Sequence, residues 1–446
     1  MHSGVRTTYR RHIASPALSG AVAAASIALL AATGCDGERA GQTTIEFWAI
    51  GSEGERVRPL IERFEQQHPK LRVNLQQIPW TAAHEKLLTA FVGDSLPDLC
   101  QLGNTWIAEF SAIGALADLS RRVGPDEAVD PAAYFPGVWQ ANVIGDAVYG
   151  VPWYVDTRVM FYRTDLLAAA GFDEPPHTWD QWLAAMRTIQ QRQGPGQHAM
   201  LLPTNEWEQP IIFGLQTGAD MLRDDGRFGD FSAPEFRRAF DFYAQIFAEG
   251  LAPKIANTEV TNLWKQFERG DFAFYITGPW NVGEFQRRLS PAMDGKWATA
   301  ALPAPDGDYP GASMAGGCSL ALFDSSGKQD AAWELIEFLT APEQQVEFFG
   351  LSGNLPSNRL AWDADELAGA AHLAAFGEQL EKAKSLPRVP EWEQIAMKTW
   401  VAGEMAVNGR RTTAEALAWL DRQVDSILEK RRWMLAQRTL AGSEND

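Results

Sequence analysis

The sequence predicts an α/β chain built from two domains. Strand-like and helix-like segments alternate as β-α-β-α-β from Thr43 onward, the order that builds a largely parallel sheet covered by helices. Beyond its leader the chain is about 410 residues long, more than one hydrophobic core usually serves. Its composition, 46% hydrophobic with 38 glycines and 25 prolines, is that of a folded protein.

The elements follow in order. Arg6, Arg10 and Arg11 make a basic head before the alanine-rich apolar stretch Ile13 to Ala32, the layout of a bacterial secretory signal over residues 1–34. Pro16, Ser19, Gly20 and Ser26 interrupt that stretch, which weakens a reading as a permanent membrane span. The run Ala32-Thr33-Gly34-Cys35 resembles a lipobox, with Ala32 where leucine is usual. Lipidation would then fall on Cys35 at the head of a linker, 35–42; the alternative is ordinary cleavage and release.

Thr43 to Ala49 reads as a buried strand, Val57 to His68 as a helix stopped by Pro69, and Leu71 to Ile78 as an alternating strand. A helix over Ala82 to Val92, a strand over Asp98 to Leu102 and a helix over Thr105 to Ile113 complete the first unit. Ala147 to Tyr162 is strand-like but contains Pro152, which predicts a crossing between two sheets at that point. Helices are expected over Trp179 to Arg192, Pro234 to Glu249, Asn262 to Glu268, 328–340, 342–349, 391–407 and 412–434. Strands are expected at Ala273 to Ile276, near Lys296 to Pro303, and at Ala315 to Phe323, with a disordered tail from about Ala441.

Loss of the leader removes three arginines and no acidic residue, so the formal charge moves from −18 to −21. Such a surface argues against nucleic acid and anionic lipid as partners. Cys100 and Cys318 sit in apolar strand-like sequence and read as two separate core thiols, the alternative being one disulfide across a long loop in an exported protein. With no CxxC, HExxH or His/Cys cluster, neither a metal nor a cofactor is expected.

The chemistry lies with tryptophan, present 17 times. Trp48, Trp80, Trp106, Trp153, Trp207, Trp280 and Trp392 fall at strand ends or in loops, whereas Trp182, Trp333, Trp400 and Trp419 lie on helical apolar faces and read as packing. An indole offers a flat apolar platform for the C–H face of a sugar ring, and carboxylates or amides suit its hydroxyls. Glu53, Asn104, Thr105, Asp156, Arg158 and Asn281 stand beside the loop tryptophans, where ligands gather at the carboxyl ends of strands in an open α/β sheet. Each could instead cap a helix or form a surface ion pair; Asn104 suits the N-cap of the helix that follows.

The runs EFWAIGSEGERVRPLIERFEQQHPKLRV, QIPWTAAHEKLLTAFVGDSLPDL, YGVPWYVDTRVMFYRTDLL, ITGPWNV, LPAPDG, AGGCSLALF and AAWELIEFL, in this order, together resemble the extracellular solute-binding proteins of ABC sugar importers, the group that includes maltose- and trehalose-binding proteins. The resemblance spans residues 43–434. It implies a two-lobe periplasmic-binding-protein fold of type II, each lobe a sheet flanked by helices, joined by a hinge of crossing strands. The lobes would comprise 43–153 with 299–345 and 157–297 with 350–438, leaving 439–446 as a tail. Matching positions imply hydrogen bonding by Glu53, Asn104, Tyr154 and Asp156, stacking on Trp280, and close backbone approach at Gly317 and Cys318, the latter smaller than the family's usual residue. Arg388 and Trp392 resemble the final ligand-contacting segment, and Trp80, Thr105, Trp106 and Trp207 complete the candidate set.

The implied protein is not an enzyme. It would work as a monomer, bind a disaccharide or oligosaccharide such as trehalose or maltose, and deliver it to the transmembrane subunits of an ABC permease. Asp36 after Cys35 resembles an inner-membrane retention signal, which would place the protein in the periplasm with only a lipid anchor in the membrane. Two other classes remain open at this point. A secreted glycosidase would use two carboxylates, for which Glu53 and Asp156 could be nominated; a scaffold lipoprotein would bind no small ligand tightly.

Overall fold

The computed structural model describes residues 41–443, with side chains as far as residue 437. The signal, Cys35 and the greater part of the 35–42 linker therefore lie outside the described residues. From Gln42 onward the described residues cluster as one compact unit, and it contains two principal sheets.

The first sheet has six strands. In chain order these are β1 (Thr43–Ile50), β2 (Leu71–Ile78), β3 (Leu99–Gly103), β4 (Val151–Asp156), then β9 (Gly316–Leu322) and β10 (Leu355–Pro356). Between them come the four strands of the second sheet: β5 (Val159–Arg163), β6 (Met200–Leu201), β7 (Phe274–Thr277) and β8 (Trp297–Ala300). Across the first sheet the order is β10-β4-β9-β3-β1-β2, and across the second β8-β5-β7-β6.

The alternating start of the chain folds as its pattern requires. Ile45, Phe47 and Ala49 point inward on β1, which pairs in parallel with β2 from Thr43↔Leu71 to Ile50↔Ile78. The helix Arg58–Gln67 buries Leu60, Ile61 and Phe64 on one face. Truncating Phe64 to alanine would cost about 3–5 kcal/mol. The backbone N–H of Ile50 donates to Gln101 Oε1 at 2.8 Å, so a side chain of β3 completes the pairing at the end of β1. The sheet is not wholly parallel, because β9 runs antiparallel between β3 and β4.

In the second sheet, β5 runs antiparallel to β7 and β8. Its helices carry their own start signals. Thr178 and Gln181 form a reciprocal capping box before Trp179–Gln190, which buries Trp182, Met186 and Ile189. Pro234–Ala248 buries Phe236, Phe240, Tyr243 and Phe247 at helical spacing.

Four expectations need correction. Pro152 lies inside β4, opposite a register shift at Cys318/Ser319 that makes Trp153 the extra residue of a bulge. Within this run the chain changes sheets only at Thr157 and Arg158, between β4 and β5. The Pro152 carbonyl accepts from Ser357 Oγ at 2.7 Å, so a side chain serves where no strand does.

Residues 299–300, expected with the first lobe, belong to β8 of the second sheet; Leu355–Pro356, expected with the second, pair with β4 of the first. The segment expected as one helix, 412–434, breaks at Leu428 into Thr413–Ile427 and Glu429–Ser443, and the latter carries helix past Ala441. The helix Glu208–Gln216 did not register in the sequence, because Pro210 and Gly214 interrupt its pattern.

Three passages connect the sheets. Besides 157–158, these are 301–315, between β8 and β9, and the segment after β10. They are laced together: Thr157 Oγ1 donates to the Met314 carbonyl at 2.8 Å, Ser313 Oγ donates to the Arg158 carbonyl at 3.0 Å, and Ser313–Met314 pairs in parallel with Ala383–Lys384.

Candidate functional site

The candidate residues gather at strand ends. β1 leads through Gly51 and Ser52 to Glu53, which opens the short helix Glu53–Arg56; β2 leads to Trp80, first residue of the helix Trp80–Val92; β3 leads to Asn104, Thr105 and Trp106. From the second sheet, β7 leads through Gly278 and Pro279 to Trp280. Trp80 and Trp280 thus begin helices rather than standing in loops.

Beneath Glu53 lies a buried polar network. Gln101 Nε2 donates to the Tyr154 hydroxyl at 2.9 Å, and that hydroxyl lies 3.0 Å from Cys318 Sγ and 3.4 Å from Glu53 Oε1. Asn354 Nδ2 donates to the same Glu53 oxygen at 3.1 Å. Burial pushes the Tyr154 phenol well above its ordinary value and the Cys318 thiol up to about 12, so both stay protonated at neutral pH.

Tyr154 and Cys318 are therefore committed to the protein's own network, and both are buried. The close approach at Gly317 is likewise made by the chain itself: at φ +111° a Cβ there would sit 2.3 Å from the Tyr154 carbonyl oxygen. Cys100, buried in β3, is a free thiol as well.

Asn104 does not cap a helix. Its Nδ2 donates to the Gly316 carbonyl at 3.1 Å and its Oδ1 accepts from Ser319 Oγ at 3.0 Å, tying the end of β3 to β9. Thr105 Oγ1 donates to Glu393 Oε1 at 2.5 Å. Trp106 meets Trp80 edge to face at 5.8 Å between centroids and His84 at 5.1 Å.

Charges concentrate at the crossing. Arg158 Nη1 donates to Asp156 Oδ1 at 2.8 Å, Nη2 to Glu208 Oε1 at 3.4 Å, and its guanidinium carbon stands 4.6 Å from the Trp280 ring centroid. Gly316 leaves space for Asp156, since a Cβ at residue 316 would lie 2.4 Å from Asp156 Oδ1. Gly278 does the same for the indole of Trp280, with a Cβ there 2.1 Å from Cζ3.

Glu206 is the other carboxylate of this corner, accepting from Asn257 Nδ2 at 2.8 Å and from Gln209 Nε2. Burial raises its carboxyl against the opposing Gln209 bond, and Glu208 raises it further. Glu206, Glu208, Asn354 and Glu393 were missed from the sequence; the first two flank Trp207 directly, the same signal that singled out Asp156.

Trp280 is 50% exposed, and with Arg56, Phe349, Ser352 and His372 it lines a cavity of about 570 Å³. That volume suits a small ligand. Of the candidates read from the sequence, Trp280 alone is among the residues lining that cavity. Trp392 is buried in the core of the second sheet, edge to face with Trp207 at 6.1 Å, so it packs rather than presenting a face. Trp207 precedes the helix Glu208–Gln216 and is half-buried against that core. Arg388 lays its guanidinium on the carbonyls of Gln140 and Val143, and with Asn104 and Thr105 it lines a recess of only about 20 Å³.

The model for the bacterial extracellular solute-binding proteins matches residues 49–346. The sugar-binding protein MalE from the phytopathogen Xanthomonas citri is similar in structure, with a TM-score of 0.85 and 47% identity, the match covering 89% of this chain and 100% of that one. The diacetylchitobiose binding protein DasA of Streptomyces coelicolor is 25% identical over 81% of this chain and 84% of its own. The lactose-binding protein of Rhizobium radiobacter is 25% identical over 67% of this chain and 70% of its own.

Proposed function

This chain belongs to the bacterial extracellular solute-binding protein family, and we propose that it captures a sugar outside the cytoplasm and passes it to an ABC permease. The observation that carries the reading is the half-exposed Trp280 at the wall of the cavity, with Asp156 and Glu208 held beside it through Arg158. A flat aromatic platform flanked by carboxylate acceptors suits the apolar face and the hydroxyls of a neutral saccharide. The likeness to sugar-binding MalE at 47% identity supports the same class of ligand.

Within that class we infer an α-linked glucose disaccharide, trehalose or maltose, bound without chemical conversion. Glu53, Asn104 and Trp80 serve the site from the first sheet; Asp156, Trp280 and the corner around Trp207 serve it from the crossing and the second. The two sheets, each with its helices, act as lobes that close on the ligand, and differential affinity for the closed form drives that closure. The closed monomer docks on the permease subunits. Cys35 carries a lipid that keeps the protein at the outer face of the inner membrane, where a tether raises its effective concentration near the permease.

Calorimetry of the mature chain against trehalose, maltose, lactose and diacetylchitobiose tests this, with product analysis on the same samples. Binding of a glucose disaccharide without turnover is expected. Hydrolysis would refute the transport reading, and absence of binding to all four sugars would refute the assignment of the ligand.

A further inference from the structure

We propose that Arg158 is a positioning residue for sugar capture, holding Trp280, Asp156 and Glu208 in one arrangement without itself touching the ligand; this rests on the reading of the Trp280 cavity as the sugar site. Arg158 is the second residue of the passage between β4 and β5. Its backbone is pinned there, since its carbonyl accepts from Ser313 Oγ at 3.0 Å and its N–H donates to the same oxygen at 3.3 Å.

From that fixed base the side chain makes three contacts with three different elements. Asp156 ends β4 of the first sheet, Glu208 opens a helix packed on the second, and Trp280 follows β7. A guanidinium alone among side chains can do all three at once, donating from two nitrogens in its plane and presenting a cationic face to an indole.

The division of exposure assigns the roles. The Arg158 side chain is 13% exposed, whereas Trp280 is 50% exposed. Trp280 lines the cavity and Arg158 is not among the residues that do. The cation therefore backs the indole while the cavity receives the rest of the ring. Without it, two carboxylates drawn together by one positive charge would repel, and Trp280 would lose the contact that fixes its plane.

A double-mutant cycle tests this, with maltose and trehalose as probes and calorimetry as the readout, after thermal unfolding has shown each variant folded. R158Q should weaken binding about tenfold, the size expected for a partly buried cation–π and ion-pair contact. R158K keeps the charge but not the planar fork, and should recover less than half of that loss on a logarithmic scale. In a Trp280→Leu background, measured at millimolar sugar, the R158Q effect should shrink to under about threefold, because the ring that Arg158 orients is gone.

The two readings fail separately. Unchanged affinity in Trp280→Leu would overturn the site itself. A weakened Trp280→Leu, together with wild-type affinity in R158Q, full rescue by R158K, or an equal R158Q loss in both backgrounds, would overturn the role of Arg158 alone.

Discussion

The hydroxyl of Thr105 donates to the carboxylate of Glu393 at 2.5 Å across 288 residues of sequence, joining the end of β3 to the helix Trp392–Val407 of the second core. Thr105→Val keeps the shape and removes the donor. A hydrogen bond to a charged, partly solvated acceptor contributes about 1 kcal/mol net. Sugar affinity should fall about fivefold, and small-angle scattering of the sugar-free protein should show a larger radius of gyration. An unchanged radius and affinity would exclude this contact from setting how the two cores sit together.

Trp280→Ala and Asp156→Ala probe the site directly. Each should weaken sugar binding by about ten- to a hundredfold, while the thermal midpoint of Trp280→Ala moves by only a degree or two, since half of that ring already faces solvent. Equal affinity in both variants would move the site elsewhere.

His84 offers a pH test. Its Nε2 lies 2.7 Å from Glu109 Oε2, and that hydrogen bond, opposed by burial and aided by the charges of Glu109, Glu393 and Glu85, raises its pKa above the ordinary 6.5. A raised histidine gives stability that is fully present below 6.5 and is lost as pH climbs through the folded value. The midpoint advantage of wild type over Glu109→Gln should therefore be larger at pH 6 than at pH 8.5. Equal differences at both values would remove the pair from the protein's pH response.

The thiols give a chemical check. Cys100 and Cys318 are buried, and burial raises both, Cys318 to about 12. In a chain beginning after Cys35, both should resist iodoacetamide at pH 8 while folded and react in denaturant, giving two alkylations by mass without reduction. A mass showing none would mean a disulfide.

The early elements were legible because alternation in β1 and β2 and the spacing of Leu60, Ile61 and Phe64 are local properties. What failed depended on partners distant in sequence. Pro152 stays in a strand only because β9 shifts register beside it and Ser357 supplies a donor to its carbonyl. Trp392 and Trp280 look alike in sequence, yet one packs in a core and the other lines a cavity.

Likewise, nothing local to Asn104 distinguishes a cap from a tie to Gly316 and Ser319. The crossing strands were visible as a run of residues. That Arg158 gathers three of the chain's groups there was not, since Glu208 and Trp280 lie 50 and 122 positions further on.

The lacing of Thr157 and Arg158 to Ser313 and Met314, and of these to Ala383 and Lys384, has a mechanical meaning. Three chain passages fastened edge to edge make a strap rather than three separate strings. A strap flexes readily across its flat side and resists being twisted or slid along its length. Under the proposed closure of the two cores on a sugar, such a strap would confine their swing to a single line and bring the same faces into register at each return. Cutting one stitch with Thr157→Val should let distances between dye pairs, one dye on each core, spread along more than one direction; an unaltered single-axis distribution would show the remaining stitches suffice.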